Sequence, residues 1–276
     1  MTFSIVARSA DGESLGVAVA SKFLAVGAAV PAVEAGVGAV ATQAHANLAY
    51  RPEGLALLRA GADAAGAVRQ LVGADAGKEV RQLGVVTPNG PGATFTGAEC
   101  HDWAGGVAGD GYAIQGNILT GSGVVEAMEA AWLASDPAAT LARRLLAALA
   151  AGDAAGGDRR GRQSAALLVA RRGGGYGGQS DVEVDLRADD DARPVDVLER
   201  LLGLHELYFT RPDPATLLAL DGELAAEVSG LLAGLGHTGE PDTALAAWAG
   251  IENLEERVVP GRIDPLVLDW LRKAAG

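Results

Sequence analysis

Apolar stretches with strand character crowd the first 43 residues, and the first of them begins at residue 2. Thr2-Phe3-Ser4-Ile5-Val6-Ala7-Arg8 is followed by the turn-rich Ser9–Ser14. Then come Leu15–Phe23, Ala29–Gly36 and Val37–Gln43. If the first two strands form a hairpin, the far end of the second returns to the level of Thr2. Ser21 and Lys22 are then placed beside the start of the chain. The Ala/Val/Gly-rich run from Leu15 to Ala46 is long enough to suggest a membrane span, but Ser21-Lys22, Pro31, Glu34 and Gln43 interrupt it. Buried sheet is the better reading.

Thr2 carries chemistry as well as structure. A small residue after an initiator Met permits removal of Met1, which leaves a free α-amine on the threonine. Such an amine titrates near pH 8, so it can take the hydroxyl proton without a histidine. A Lys22 ammonium beside it would lower the cost of ionising the hydroxyl and hold the amine neutral. Most lysines at strand ends are simply solvated.

The remaining pattern sets the architecture. Gly54–Gly61 and Asp63–Val72 read as short helices, Gln82–Thr87 and Gly92–Gly97 as a hairpin around Pro88-Asn89-Gly90, and Gly111–Asn117 as a strand. Ser122 is expected to cap a helix over 123–134 with Met128 and Trp132 inward, and a further helix covers 137–151. Strands at 164–171 and 182–187 and a helix from Pro194 to Phe209 follow. Helix pairs framed by strands predict an α+β chain: two sheets with helices on both outer faces, not a doubly wound alternation.

Composition closes off several classes of function. The net charge of −13 argues against nucleic acid, whose phosphates would be repelled. A single cysteine, Cys100, excludes an internal disulfide framework and reads best as a small buried hydrophobe. His45, His101, His205 and His237 have no metal-ligand spacing, so neither metal nor cofactor is expected. Asp181, Glu183 and Asp185 share one face of a strand and read as a solvent-facing edge. Gly36-Val37-Gly38-Ala39-Val40-Ala41 spells a dinucleotide fingerprint, yet the run continues as strand and no helix opens after it. No signal peptide is read at the N-terminus, and a cytoplasmic, non-membrane, homo-oligomeric protein is the expectation.

Three polar segments compete for a site. Gln115-Gly116-Asn117 ends an apolar strand, and its side-chain amides or the Gly116 and Asn117 backbone N–H groups could hold an oxyanion. Asp158-Arg159-Arg160-Gly161-Arg162-Gln163-Ser164 offers forked guanidinium groups that suit a substrate carboxylate, with Asp158 and Arg160 foremost. Thr42–Asn47 supplies Gln43 and Asn47 as pocket-lining amides.

Several of these runs resemble one family. They are Thr2–Arg8, Leu15–Phe23, Gly36–Ala44, Gln115–Leu119 and Gly156–Ala165. Together they resemble DUF1028, an uncharacterised family assigned to the Ntn-hydrolase superfamily, and the likeness runs to about Phe209. It implies a four-layer αββα sandwich over residues 1–210 and an N-terminal nucleophile. Catalytic roles then fall to Thr2, Lys22, Gln115 and Asn117, and substrate contacts to Ser21, Gln43, Asn47, Asp158, Arg160 and Gln163. Residues 211–276 read as a small helical domain. Trp248, Asn253, Leu254, Arg257, Ile263, Asp264, Leu268 and Leu271 resemble an appended peptidoglycan-binding module. The resulting expectation is an amidohydrolase acting on a small amide. The alternatives are a non-catalytic ligand-binding or assembly protein, or a binder of cell-wall fragments.

Overall fold

Residues 2–276 are described here in a computed structural model. They divide into one unit that ends at Leu202 and a second that spans Gly203–Gly276. The first unit carries ten strands: β1 (Thr2–Arg8), β2 (Leu15–Ser21), β3 (Pro31–Glu34), β4 (Gly38–Ala44), β5 (Arg81–Val86), β6 (Ala93–Thr96), β7 (Gly105–Gly109), β8 (Tyr112–Asn117), β9 (Ser164–Ala170) and β10 (Val182–Ala188). Its helices are α1 (Val26–Ala29), α2 (Tyr50–Arg59), α3 (Ala64–Ala74), α4 (Gly123–Ala134), α5 (Leu141–Ala154) and the start of α6 (Pro194–Phe209).

The strands form two antiparallel sheets, β10-β9-β2-β1-β8-β7 and β3-β4-β5-β6. β1 and β2 make the expected hairpin, with Phe3 opposite Ala20. On the other side of β1, Thr2 lies opposite Asn117 of β8. β1 is therefore interior to its sheet and buried on both faces, which is why it is apolar without clean alternation. Phe3, Ile5 and Ala7 turn to the core that includes Met128, Leu145 and Leu149 of α4 and α5. Val6 turns the other way, into a layer with Val17, Val19, Ala39, Ala41 and Val86 that joins the two sheets. On the far face of the smaller sheet, Val40, Leu83 and Val85 pack with Leu58, Ala67 and Leu71 of α2 and α3. The first unit is thus a mixed α/β body with helices against each sheet. Met128 and Trp132 are buried as expected.

The helix starts show which local signals were real. Asp63 accepts from the Gly66 N–H at 2.6 Å and Thr140 from the Arg143 N–H at 3.4 Å, both true caps. Ser122 stands where a cap was expected, but its own backbone is helical (φ −59°, ψ −29°) and its side chain makes no cap bond. Thr140 shortens the helix expected from Pro137, so α5 begins at Leu141. The glycine-rich β7 and the one-turn α1 carry too little apolar pattern to be foreseen.

The second unit holds α7 (Gly222–Gly234), α8 (Pro241–Ile251) and α9 (Pro265–Ala275), with a two-residue ribbon of β11 (Leu218–Ala219) and β12 (Arg262–Ile263). A single helix over 215–235 was expected. Gly222 takes φ +51°, outside the right-handed range, and the chain before it pairs as strand instead. Trp248, Leu254, Ile263, Leu268 and Leu271 form this unit's core. Arg257 and Asp264 make a buried ion pair there. Arg257 also donates to the carbonyls of Leu207 and Glu206, both at 2.6 Å, while Asp264 caps α9. A buried pair of this kind is tolerated only because its remaining donors are also satisfied. Among the described residues no helix is long and apolar enough to cross a membrane.

Glycine positions separate close packing from open space. A Cβ on Gly16 would lie 2.7 Å from Leu145 Cδ1 and 2.9 Å from the Leu168 carbonyl oxygen, whereas one on Gly230 of α7 would meet nothing within 4 Å. Gly16→Ala should therefore cost about 1–3 kcal/mol. Gly230→Ala should add about 0.5–1 kcal/mol. Urea unfolding of each variant against the parent protein checks both signs.

Candidate functional site at the Thr2 end of the sheets

The strand alternation sets the Thr2 side chain on the face that β1 turns to the smaller sheet, in line with Ser4 and Val6. Thr2 is 5% exposed, and its Oγ1 lies 3.2 Å from the Ser21 hydroxyl at the end of β2. The hairpin thus brings together Thr2 and Ser21, which are 19 residues apart in sequence.

Beside them lies a layer of buried amides spanning both sheets. The Ser4 hydroxyl donates to Gln43 Oε1 at 2.7 Å and accepts from Gln115 Nε2 at 2.6 Å. Gln43 Nε2 reaches Gln82 Oε1 at 2.8 Å and the Thr2 carbonyl at 3.2 Å. Asn117 Nδ2 donates to the same Gln82 Oε1 at 2.9 Å and approaches the Thr2 carbonyl at 3.5 Å. Gln82 Nε2 in turn donates to the Gly116 carbonyl at 2.7 Å and to Thr96 Oγ1 at 2.9 Å. The Gln115 donors are thus directed at Ser4, not at the Thr2 hydroxyl where an oxyanion would form. Its Oε1 is buried without a partner, over Gly84, where a Cβ would come within 2.2 Å of it. Gly116 is paired on both sides, with Phe3 and Gly105, so its backbone is taken up in the ladders. Asn117 lies directly opposite Thr2, and its Nδ2 likewise serves the amide layer, at Gln82 Oε1 and the Thr2 carbonyl.

The 156–162 loop forms the other wall. Asp158 is buried, and its carboxylate accepts from the Lys22 backbone N–H at 2.7 Å and the Arg160 backbone N–H at 2.8 Å. Arg160 folds its guanidinium back onto the same carboxylate at 3.3 Å, and Arg162 pairs with Asp153 at 2.7 Å. The forks expected to dock a substrate carboxylate are therefore engaged with acids of the chain itself. Asp153 accordingly holds Arg162 firmly charged, above its already high range. Lys22 is exposed, and its ammonium donates to the Arg162 carbonyl at 3.2 Å. A small cavity of about 30 Å³ lies between the loop and the sheet, lined by Phe3, Ser21, Asp158 and Arg162 among others.

Two residues expected in the pocket serve elsewhere. Asn47 donates to Asp75 at 3.2 Å, and Asp75 also accepts from Tyr50 at 2.9 Å, Arg81 at 3.0 Å and the Gly77 N–H at 2.8 Å. These donors hold the Asp75 carboxyl well below the usual range, the Gly77 bond foremost, and burial pushes the Tyr50 phenol up. Because the Asp75 value is depressed on folding, the stability it confers is present above the ordinary carboxylate range and lost as pH falls through the depressed value. The cluster anchors β5 just before Gln82. Gln163 donates from its side chain to Asp190 at 3.2 Å, and its backbone N–H bonds the Ser21 carbonyl at 3.1 Å. It braces the strand end without facing Thr2.

Asp181 and Glu183 are also taken up locally, by the Gly173 N–H and by Arg171. Among the described residues no group of His, Cys, Asp and Glu is placed to hold a metal. The Cys100 thiol, whose Sγ approaches the Arg81 carbonyl at 3.3 Å, is pushed up by burial.

Gln82 and Ser4 are the participants that sequence reading missed. Each is a polar side chain inside an otherwise apolar strand, and that is the signal that could have marked them. Gln82→Met would take the Oε1 acceptor from Gln43 and Asn117 and the Nε2 donor from the Gly116 carbonyl. It should cost about 2–4 kcal/mol, since each stranded buried group costs about 1–3 kcal/mol. Thr2→Ala, which leaves this layer intact, should cost less in the same urea titration.

A solved DUF1028 protein of Silicibacter pomeroyi is 32% identical, with a TM-score of 0.66, over 82% of this chain and 92% of its own. Anbu (ancestral beta-subunit) from Yersinia bercovieri aligns at 11% identity and a TM-score of 0.34, over 73% of this chain and 93% of its own. No curated protein matches. Residues 208–271 match the family described as "Putative peptidoglycan binding domain". Residues 2–198 match the family of unknown function DUF1028, and the chain belongs to that family.

Proposed function

We propose that the first unit is an N-terminal-nucleophile amidohydrolase with a four-layer αββα arrangement, and that Thr2 is its nucleophile once Met1 is removed. Met1 lies outside the described residues. The observation that carries this reading is a threonine hydroxyl at the head of an interior strand, buried and 3.2 Å from the Ser21 hydroxyl. The helices packed against each sheet support the layering.

In this mechanism the released α-amine takes the Thr2 proton, directly or through the Ser21 hydroxyl, as Oγ1 attacks the amide carbonyl. The carbonyl oxygen becomes an oxyanion beside Asn117, whose Nδ2 turns from its long 3.5 Å contact with the Thr2 carbonyl to meet it. When the C–N bond breaks, the α-ammonium gives its proton to the departing amine. Water then attacks the resulting ester, its proton going to the α-amine, and the acid leaves with Thr2 restored. Asp158 acts at one remove: by gripping the Lys22 and Arg160 N–H groups it fixes the strand end that carries Ser21. Lys22 contributes a positive charge at the cavity mouth. Gln43 and Gln115 keep the amide layer, and through it Thr2, in register.

A second reading concerns the second unit alone, and the match over residues 208–271 favours it. It binds a peptidoglycan fragment. Sedimentation with purified cell-wall sacculi should recover the full chain. Recovery of none would remove this reading.

Intact-mass analysis should show loss of Met1, and a β-lactone probe should label Thr2 in peptide maps. Thr2→Ala should remain folded and lose at least about a thousandfold in turnover across a panel of small amides. Turnover near normal in that variant would remove Thr2 as the nucleophile, and retained Met1 without turnover would favour a ligand-binding protein without chemistry.

A further inference from the structure

A second cleft, of about 400 Å³, is lined by Arg8 at the end of β1 and by Arg144 near the start of α5. Thr2 and Arg8 are the two ends of β1, roughly 20 Å apart at the rise of an extended strand. Tyr112, Trp132, Ser135 and Pro137 complete the walls that matter here.

Arg144 is the unusual group. It is 8% exposed, with its guanidinium carbon 3.9 Å from the centre of the Trp132 ring. Its Nε donates to the Ser135 hydroxyl at 2.8 Å, and that hydroxyl gives its own proton to the Trp132 carbonyl at 2.6 Å. Among the described residues no carboxylate pairs with Arg144, and its terminal nitrogens meet no acceptor. The other buried arginine, Arg257, has Asp264, and the buried Asp158 has Arg160. A buried charge normally requires such a partner. Burial lowers the proton affinity of Arg144, which marks the same unmet need.

The acids around the cleft do not meet that need. Asp110 is exposed and paired with Arg8 at 2.8 Å. Glu129 accepts the Tyr112 phenol proton at 2.7 Å, and burial together with that carboxylate pushes Tyr112 up to about 12. Asp136 is exposed and turns back to the Ala138 N–H at 2.9 Å. Asp136 favours the Arg144 charge from a distance, but a screened charge in water does not replace a direct partner. The ring beneath Arg144 and the nearby C-terminus of α4 ease the charge without neutralising it.

We propose that this cleft binds a small organic monoanion, a carboxylate with an apolar or aromatic body, on the open fork of Arg144. The fork suits a carboxylate, which it can hold by two parallel bonds. Pro137 and the exposed Leu133 supply apolar wall for the body. The proposal is independent of the role assigned to Thr2.

Titrating the full chain with sodium benzoate at fixed ionic strength, read by tryptophan fluorescence, tests the proposal. A saturable change is expected in the parent protein and in Thr2→Ala. It should weaken by about tenfold or more in Arg144→Gln, which keeps the polar stem but loses the charge. No saturable change in the parent, or an equal one in a folded Arg144→Gln, overturns the proposal. Should that variant fail to fold, crystals of the parent soaked in 4-bromobenzoate decide. Bromine scattering beside Arg144 supports the site, and bromine only elsewhere, or none, overturns it.

Discussion

The mutual hydrogen bonding of amides between the two sheets is the constraint on which this structure depends. Ser4, Gln43, Gln82, Gln115 and Asn117 are all buried, in a place where burial without partners would be costly. They are tolerated because they serve one another: Gln82 Oε1 accepts from both Gln43 and Asn117, and Gln43 Oε1 accepts from Ser4. That reciprocity ties β1 and β8 of one sheet to β4 and β5 of the other and fixes their relative register. Away from this end, the joint between the sheets is made by small apolar residues such as Val6, Val17, Ala39 and Ala41. The two regions divide the labour, one giving packing and the other geometry.

Thr2 sits at the edge of the polar region, and its carbonyl accepts from Gln43. Its position is therefore held by the sheets rather than by a loop, which suits a group required to act with fixed geometry. The 156–162 loop closes the far wall through a single buried carboxylate, Asp158, which gathers the chain at Lys22 and at Arg160. The neighbouring Arg162–Asp153 pair is more exposed, and such pairs contribute little to stability. Shape at this wall comes from Asp158.

Much of the framework was legible in the chain. The hairpin of β1 and β2, the strand ending at Asn117, and α4 with Met128 and Trp132 inward follow from local pattern. The failures have local causes as well. Gly105–Gly109 forms a strand with almost no side chains to advertise it, and Gly222 breaks a helix that the apolar pattern extends through. At the site, sequence order brought Thr2, Ser21 and Asp158 into consideration. It misplaced Asn47, whose amide is drawn to Asp75, and it overlooked Gln82 and Ser4.

Periodicity, turn residues and the position of Thr2 by themselves determined that this chain would be antiparallel sheet with helices against it, starting from a hydroxyl at the head of a strand. Those signals act between near neighbours, so they can be read in order along the chain. Only the tertiary structure decided which polar groups meet. Arg160 and Arg162 look like open forks in sequence, yet each folds onto a nearby acid. Arg144 is buried over Trp132 without a paired carboxylate, which nothing in the residue order announces. The partner of a charge is set by which strands and helices come to lie side by side, and that is a property of packing rather than of the order of residues.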